Sequence, residues 1–195
     1  MINTKYEITN IAHEKYPFLH RIRALRDIGE EVKSGDLGGF VEREENLSFA
    51  SRDDSWIFDD AIAAGGSHVS RDSILRDKAI VCGNASVSYG TEMTGDSRVE
   101  DSAVVRGAML LHHARISGSG IVIPSPDTNM APSIGDNCAI YGKVVGGVIL
   151  AGSMVVINDE TISNNTPDRL LINNQKRIII RDSSRDELTP YHQEG

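Results

Sequence analysis

From Ser51 onward an aliphatic residue recurs every six positions. Ile57, Val69, Leu75, Val81, Val87, Met93, Val99, Val105, Leu111 and Ile123 occupy ten of the thirteen places from Ser51 to Ile123; Ser51, Ala63 and Ser117 hold the rest. Val, Ile, Leu and Met total 51 of 195 residues, so random placement gives about three. A second track lies four residues after the first and holds only small residues: Ser55, Ala61, Ser67, Ser73, Ala79, Ala85, Thr91, Ser97 and Ala103. A third, three residues after the aliphatic one, is rich in Gly, Asn and Asp: Asp54, Asp60, Gly66, Asp72, Asn84, Gly90, Asp96 and Gly120. Those types tolerate positive φ, which predicts a sharp corner in each repeat. An α-helix needs apolar residues at three and four spacing, and an amphipathic strand needs longer alternation. Short strands joined by regular corners coil instead into a parallel β-helix, its interior filled by one aliphatic and one small residue per hexad.

The hexads "VCGNAS", "MTGDSR" and "IGDNCA" resemble the hexapeptide-repeat family, in which an aliphatic-x-x-x-small-x unit builds a left-handed β-helix with three strands per turn. The likeness is strong over 51–123 and moderate over 134–157. It implies the left hand and an 18-residue stack. The expected interior columns are then 57/75/93/111, 69/87/105/123 and 63/81/99/117. The opening "KSGDLGGFVEREENLS" with "WIFDDA" resembles the YdcK-like group, hexapeptide-repeat proteins of phages and enteric bacteria labelled transferases. The "GDLGGF" wording ties the chain to a relative and not to an activity.

The expected organisation is all-β. Residues 1–50 form an N-terminal cap in which "KYEIT" and "HRIRALRDI" pair as a β-hairpin, covering an end that invites aggregation if left open. Residues 51–157 form the β-helix. Three prolines in 124–133, "PSPDTNMAPS", rule out a central strand and predict a loop protruding from a corner. Residues 158–195 hold a C-terminal hairpin, "LLINNQKRIII", and a charged tail. "GVILAGSMVV" resembles the final coil of hexapeptide acyltransferases, although their usual small-Gly-Asn-Pro motif is replaced by "SNNTPDRL".

Charge narrows the partners. A net charge of −8 argues against nucleic acid and anionic membranes, which attract Lys and Arg. Segment 51–123 is too balanced in sign for strong DNA mimicry. Cys82 and Cys138 form neither a metal knuckle nor a disulfide framework. No apolar run suits a membrane span or a signal peptide, so the expected compartment is the cytoplasm.

Candidate chemistry is sparse. His112 and His113 adjoin in "LLHHAR". On an 18-residue stack His113 lies over Gly95, Asp77 and Asp59, and His112 over Thr94, Arg76 and Phe58. The pair then sits one coil from the protruding loop. The same count makes Met109 and Arg115 replace small interior residues. Arg21 and Arg23 share one hairpin face and are expected to pair with Asp27, Glu30 or Glu31. No close three-histidine spacing suggests a metal. The family resemblance implies an acyltransferase that uses acyl-coenzyme A and works as a homotrimer. In that reading His113 is the general base, His112 a substrate contact, and Asn129 and Asp127 of the loop further substrate contacts. Two other classes also fit the residues: a non-catalytic rod that inhibits a host or defence protein, with Asp53, Asp54, Asp59, Asp60, Asp72, Asp77 and Asp96 on its surface, and a self-assembling scaffold. Fold alone does not choose among them.

Overall fold

The computed structural model describes residues 2–181; the charged tail from Asp182 lies outside them. The chain is a β-solenoid of seven turns. Three parallel sheets form its faces, and no α-helix occurs among the described residues. Most strands are two to four residues long, because each hexad offers one flat segment before its corner.

Interior columns follow the backbone pairing. One runs Ile57, Leu75, Met93, Leu110, Ile134, Leu150, Ile172. The second runs Val41, Ala63, Val81, Val99, Ile116, Ile140, Val156. The third runs Val69, Val87, Val105, Val122, Val144, Ile162. Every one of these residues is buried. The small track is buried from Ser55 to Ala103 and continues as Ala108, Ala114 and Gly120.

The expected register fails above Val105. Met93 pairs with Leu110, Val99 with Ile116 and Val105 with Val122, each 17 residues on. The unit Val105–Met109 has five residues, and Gly107 turns its corner at φ 50. From there the inward residues are Leu110, Ile116 and Val122, not Leu111, Ser117 and Ile123. Met109 and Arg115 accordingly point outward, Arg115 onto Glu100, and the small positions belong to Ala108 and Ala114. Corners are also displaced. Positive φ falls two residues after most inward aliphatics, at Asp59, Gly65, Asp77, Gly83, Gly95, Asp101, His112, Gly118 and Asp136. Asp60, Gly66, Asn84, Asp96 and Gly120 are not left-handed; of the proposed corner track only Asp72 and Gly90 are.

The cap is built as the sequence suggests and then goes further. Strand β1 (Tyr6–Ala12) pairs antiparallel with β2 (His20–Ala24), and β2 with β3 (Leu37–Val41). β3 lies parallel to Ile62–Ala63, so the hairpin joins one solenoid face and closes its open edge. "GDLGGF" has a steric cause. A Cβ on Gly38 would stand 2.6 Å from the Ile57 carbonyl oxygen and 2.7 Å from Trp56 and Ile22 side-chain carbons. On Gly39 it would overlap the Ala61 carbonyl oxygen and the Ile57 side chain. Only glycine lets β3 lie this close to the first coil. Arg21 and Arg23 do pair with acids, but with others than expected: Arg21 with Asp60 at 2.7 Å and Arg23 with Glu7 at 3.1 Å. Asp27 takes Lys33 and Glu31 takes Arg76.

A buried charge pins this cap. Lys5, 1% exposed, donates its ammonium to the Ser48 carbonyl at 2.8 Å and to Ser55 Oγ at 3.2 Å, with Asp53 at 3.9 Å. At the C-terminal end Arg169–Asn173 lies parallel to Val148–Ala151, and Lys176–Ile180 folds back on it as an antiparallel hairpin.

Candidate functional site

His112 and His113 stand at the corner between the Met109–Leu110 and Arg115–Ile116 strands. With Asp136, Asn137, Gly152 and Ser153 they line an open groove of about 440 Å³. The 17-residue coil changes what lies beneath each ring. His112 stacks over Gly95, as the closeness of a Gly95 Cβ to the His112 backbone shows, and so continues the column Asp59–Asp77–Gly95. His113 stands over Asp96.

His112 is explained by that column. Asp59, Asp77, Gly95, His112, Asp136 and Gly152 all have positive φ. Where the residue has a side-chain acceptor, it receives a backbone N–H from the coil above. Asp59 takes Asp77 N–H at 3.0 Å, Asp77 takes Gly95 N–H at 2.8 Å, and Asp136 takes Gly152 N–H at 2.8 Å. His112 plays the same part: its Nδ1 lies 3.4 Å from the Asp136 nitrogen, and 3.2 Å from that residue's carboxylate. A neutral ring accepts the N–H, while a protonated one donates to the carboxylate. His112→Asn is therefore expected to keep stability within about 0.5 kcal/mol, since Asn tolerates φ 57 and supplies an acceptor. His112→Val should lose about 1–2 kcal/mol through backbone strain. Urea unfolding of the two variants checks this; equal stabilities would remove the corner role.

His113 has no such duty. Its Nδ1 is 3.4 Å from Asp96 Oδ2, and both side chains are more than half exposed, at 61% and 56%.

The loop contacts lie elsewhere. Residues 124–132 bridge the Ile121–Ile123 and Ser133–Ile134 strands, one corner round from the histidines. The loop is ordered about buried Ser125, whose Oγ takes the N–H of Asp127 and Thr128 at 3.2 Å and whose carbonyl takes that of Asn129 at 3.0 Å. Asn129 lines a second cavity, of about 860 Å³, with Arg71, Tyr89, Arg106, Gly107 and Pro124. Asp127 is exposed and lines neither hollow. The structure thus brings His112 and His113 together with Asp96 and Asp136, but sets Asn129 and Asp127 at another corner. Sequence reasoning missed Arg71, Tyr89 and Arg106 because the cavity depends on the shortened repeat, which an unbroken count of six hides.

Both thiols are pushed up by burial: Cys138 fills a small interior position, and Cys82 is half-buried. A thiol so raised is a poor nucleophile at neutral pH. No family model matches this chain, and no curated protein matches it either.

Proposed function

We propose that the chain is an acyltransferase of the hexapeptide-repeat kind, in which His113 takes the proton from an acceptor hydroxyl or amine. The observation that carries this reading is His113 on a corner groove with the Asp96 carboxylate 3.4 Å from its Nδ1. With Nδ1–H held by Asp96, Nε2 keeps the lone pair that a base needs. Asp96 also offsets the imidazolium charge that develops once the proton has moved. An acyl thioester would supply the activated acyl group. Phosphates on that donor call for fixed cations, and among the described residues no Lys or Arg lines the groove: its polar side chains are His112, His113, Asp136, Asn137 and Ser153. One chain therefore suits the acceptor but not the donor's phosphates. The reading rests on a cyclic homo-oligomer, most simply a trimer, in which a neighbouring copy brings the positive charge.

The test is turnover of acetyl-coenzyme A against a panel of sugars and amines. The intact chain should be oligomeric by light scattering and active on at least one acceptor. His113→Ala should lower kcat by about 10²–10⁴, and Asp96→Asn by a smaller factor. Parent-level activity in His113→Ala removes His113 as the base. A monomer inactive on every acceptor removes the enzyme reading.

A non-catalytic binding protein is the second reading. One observation favours it: His112 is accounted for as a corner residue, while the larger concavity lies at a different corner from the pair.

A further inference from the structure

The shortened unit that resets the register also shapes a notch. At the corner between the face of Val87, Val105 and Val122 and the face of Met93, Leu110 and Ile134, successive coils differ in length. The lower coils turn through Arg71–Asp72 and Tyr89–Gly90, each with two consecutive positive φ values. The next coil is one residue shorter and turns at Gly107, drawing the backbone inward. The coil above carries the loop at 124–132, whose Pro124 would lie 3.0 Å from a Cβ on Gly107. A recessed corner thus sits between a full corner below and an overhang above. The space between is the cavity of about 860 Å³.

Its lining combines two chemistries. Ala108, Met109, Ile123, Pro124 and Ala131 give an apolar wall. Arg71 and Arg106 approach the ring of Tyr89, with guanidinium carbons 4.3 and 5.8 Å from its centroid. Arg71 also hydrogen-bonds the Tyr89 hydroxyl. Among the described residues neither guanidinium forms an ion pair with a carboxylate. Tyr89 is 51% exposed although its backbone is left-handed at φ 61, a conformation that glycine would adopt without strain. Two carboxylates share the lining. Asp72 accepts the Asp54 N–H at 2.8 Å, and Glu92 forms no ion pair among the described residues. Two guanidiniums and two carboxylates leave the lining without net charge, which suits a ligand whose single acid group sits directly between Arg71 and Arg106 better than a polyanion.

We propose that this notch binds a small organic anion with a single acid group, that group held by Arg71 and Arg106 beside Tyr89 and its apolar body against Ile123, Pro124 and Ala131. Asn129 on the overhang supplies an amide for a further polar atom of the ligand. The site is separate from the His113 groove and does not depend on the acyltransferase reading.

The acid group is a carboxylate or a phosphate ester, and titration calorimetry on the intact chain separates the two. The probes are 4-phenylbutyrate, phenyl phosphate and, as neutral control, 4-phenylbutanol. One anion should bind with a dissociation constant below about 1 mM, and the alcohol at least about tenfold more weakly. Tighter 4-phenylbutyrate identifies a carboxylate site; tighter phenyl phosphate identifies a phosphate site. Arg106→Gln and Arg71→Gln should each weaken the better anion about tenfold or more while the melting temperature stays near the parent's, because both side chains are exposed. Binding of the alcohol as tight as the anion, unchanged affinity in both variants, or no binding of either anion would each overturn the proposal.

Discussion

Leu110→Asp should unfold the protein or lower its stability by about 4 kcal/mol or more, whereas Leu111→Asp should cost about 1 kcal/mol. Leu110 is fully buried between Met93 below and Ile134 above. The side chains directly above and below it are aliphatic and the position is closed to water, so a carboxylate there loses its hydration. Leu111 is half-buried at the corner and can turn a charged group outward. Many domains have a total reserve of about 5–15 kcal/mol, so the first substitution removes much of it. Chemical denaturation of both variants decides the register: similar midpoints, or a greater loss in Leu111→Asp, would return the interior position to Leu111.

Asp53→Ala is the second large effect, with an expected loss of about 3–5 kcal/mol, because it strands the buried Lys5 ammonium and three backbone N–H groups. Those N–H groups belong to Ser55, Arg71 and Asp72 and reach the carboxylate at 2.9, 2.8 and 3.2 Å. Burial raises the Asp53 pKa, but hydrogen bonds from Ser48, Ser55 and the Arg71 backbone outweigh it and hold the carboxyl well below the usual range. A depressed carboxyl stabilises the fold above its unfolded pKa, so this contribution should fade as pH falls below about 4. Lys5 acts in the same direction at higher pH. Burial lowers its pKa from 10.5 to about 8, against the pull of Asp53. Between those values the unfolded chain binds more protons than the folded one, so stability should rise with pH from about 8 towards 10. Above 10 the buried Tyr6 phenol, pushed up by burial, reverses the trend as the unfolded phenol ionises. Lys5→Met should abolish the rise between pH 8 and 10. Urea midpoints across that range check this, and a parent curve that is flat there would contradict the buried ammonium.

The period of six was legible because each coil repeats one steric demand, an aliphatic and a small residue inside. The cap and terminal hairpins were legible from their alternation and turn residues. A single deletion was not. Gly107 belongs to an aliphatic-rich stretch in which both Leu110 and Leu111 satisfy an apolar interior, so composition alone fits either register. Only the pairing of Met93 with Leu110 separates them. The same ambiguity misplaced the histidines by one residue, set His113 over Gly95 in place of Asp96, and made Arg115 look like a defect. Corner residues were misread for a related reason: Asp or Gly occurs at one or the other of two adjacent positions in most hexads, and only the dihedrals show which turns the chain. The notch was hidden because it arises between coils of unequal length.

The claim on which both the histidine assignment and the notch depend is the 17-residue coil. Proton–proton distances by nuclear magnetic resonance test it most directly. In the parallel pairing described, the Glu92 amide donates to the Ala108 carbonyl at 2.9 Å, and the Thr94 amide to that of Leu110 at 2.9 Å. Inter-strand contacts joining Met93 to Leu110 and Val99 to Ile116 are expected. Contacts joining Met93 to Leu111 and Val99 to Ser117 would contradict the 17-residue coil, restore the unbroken count of six, and take away the recessed corner at Gly107.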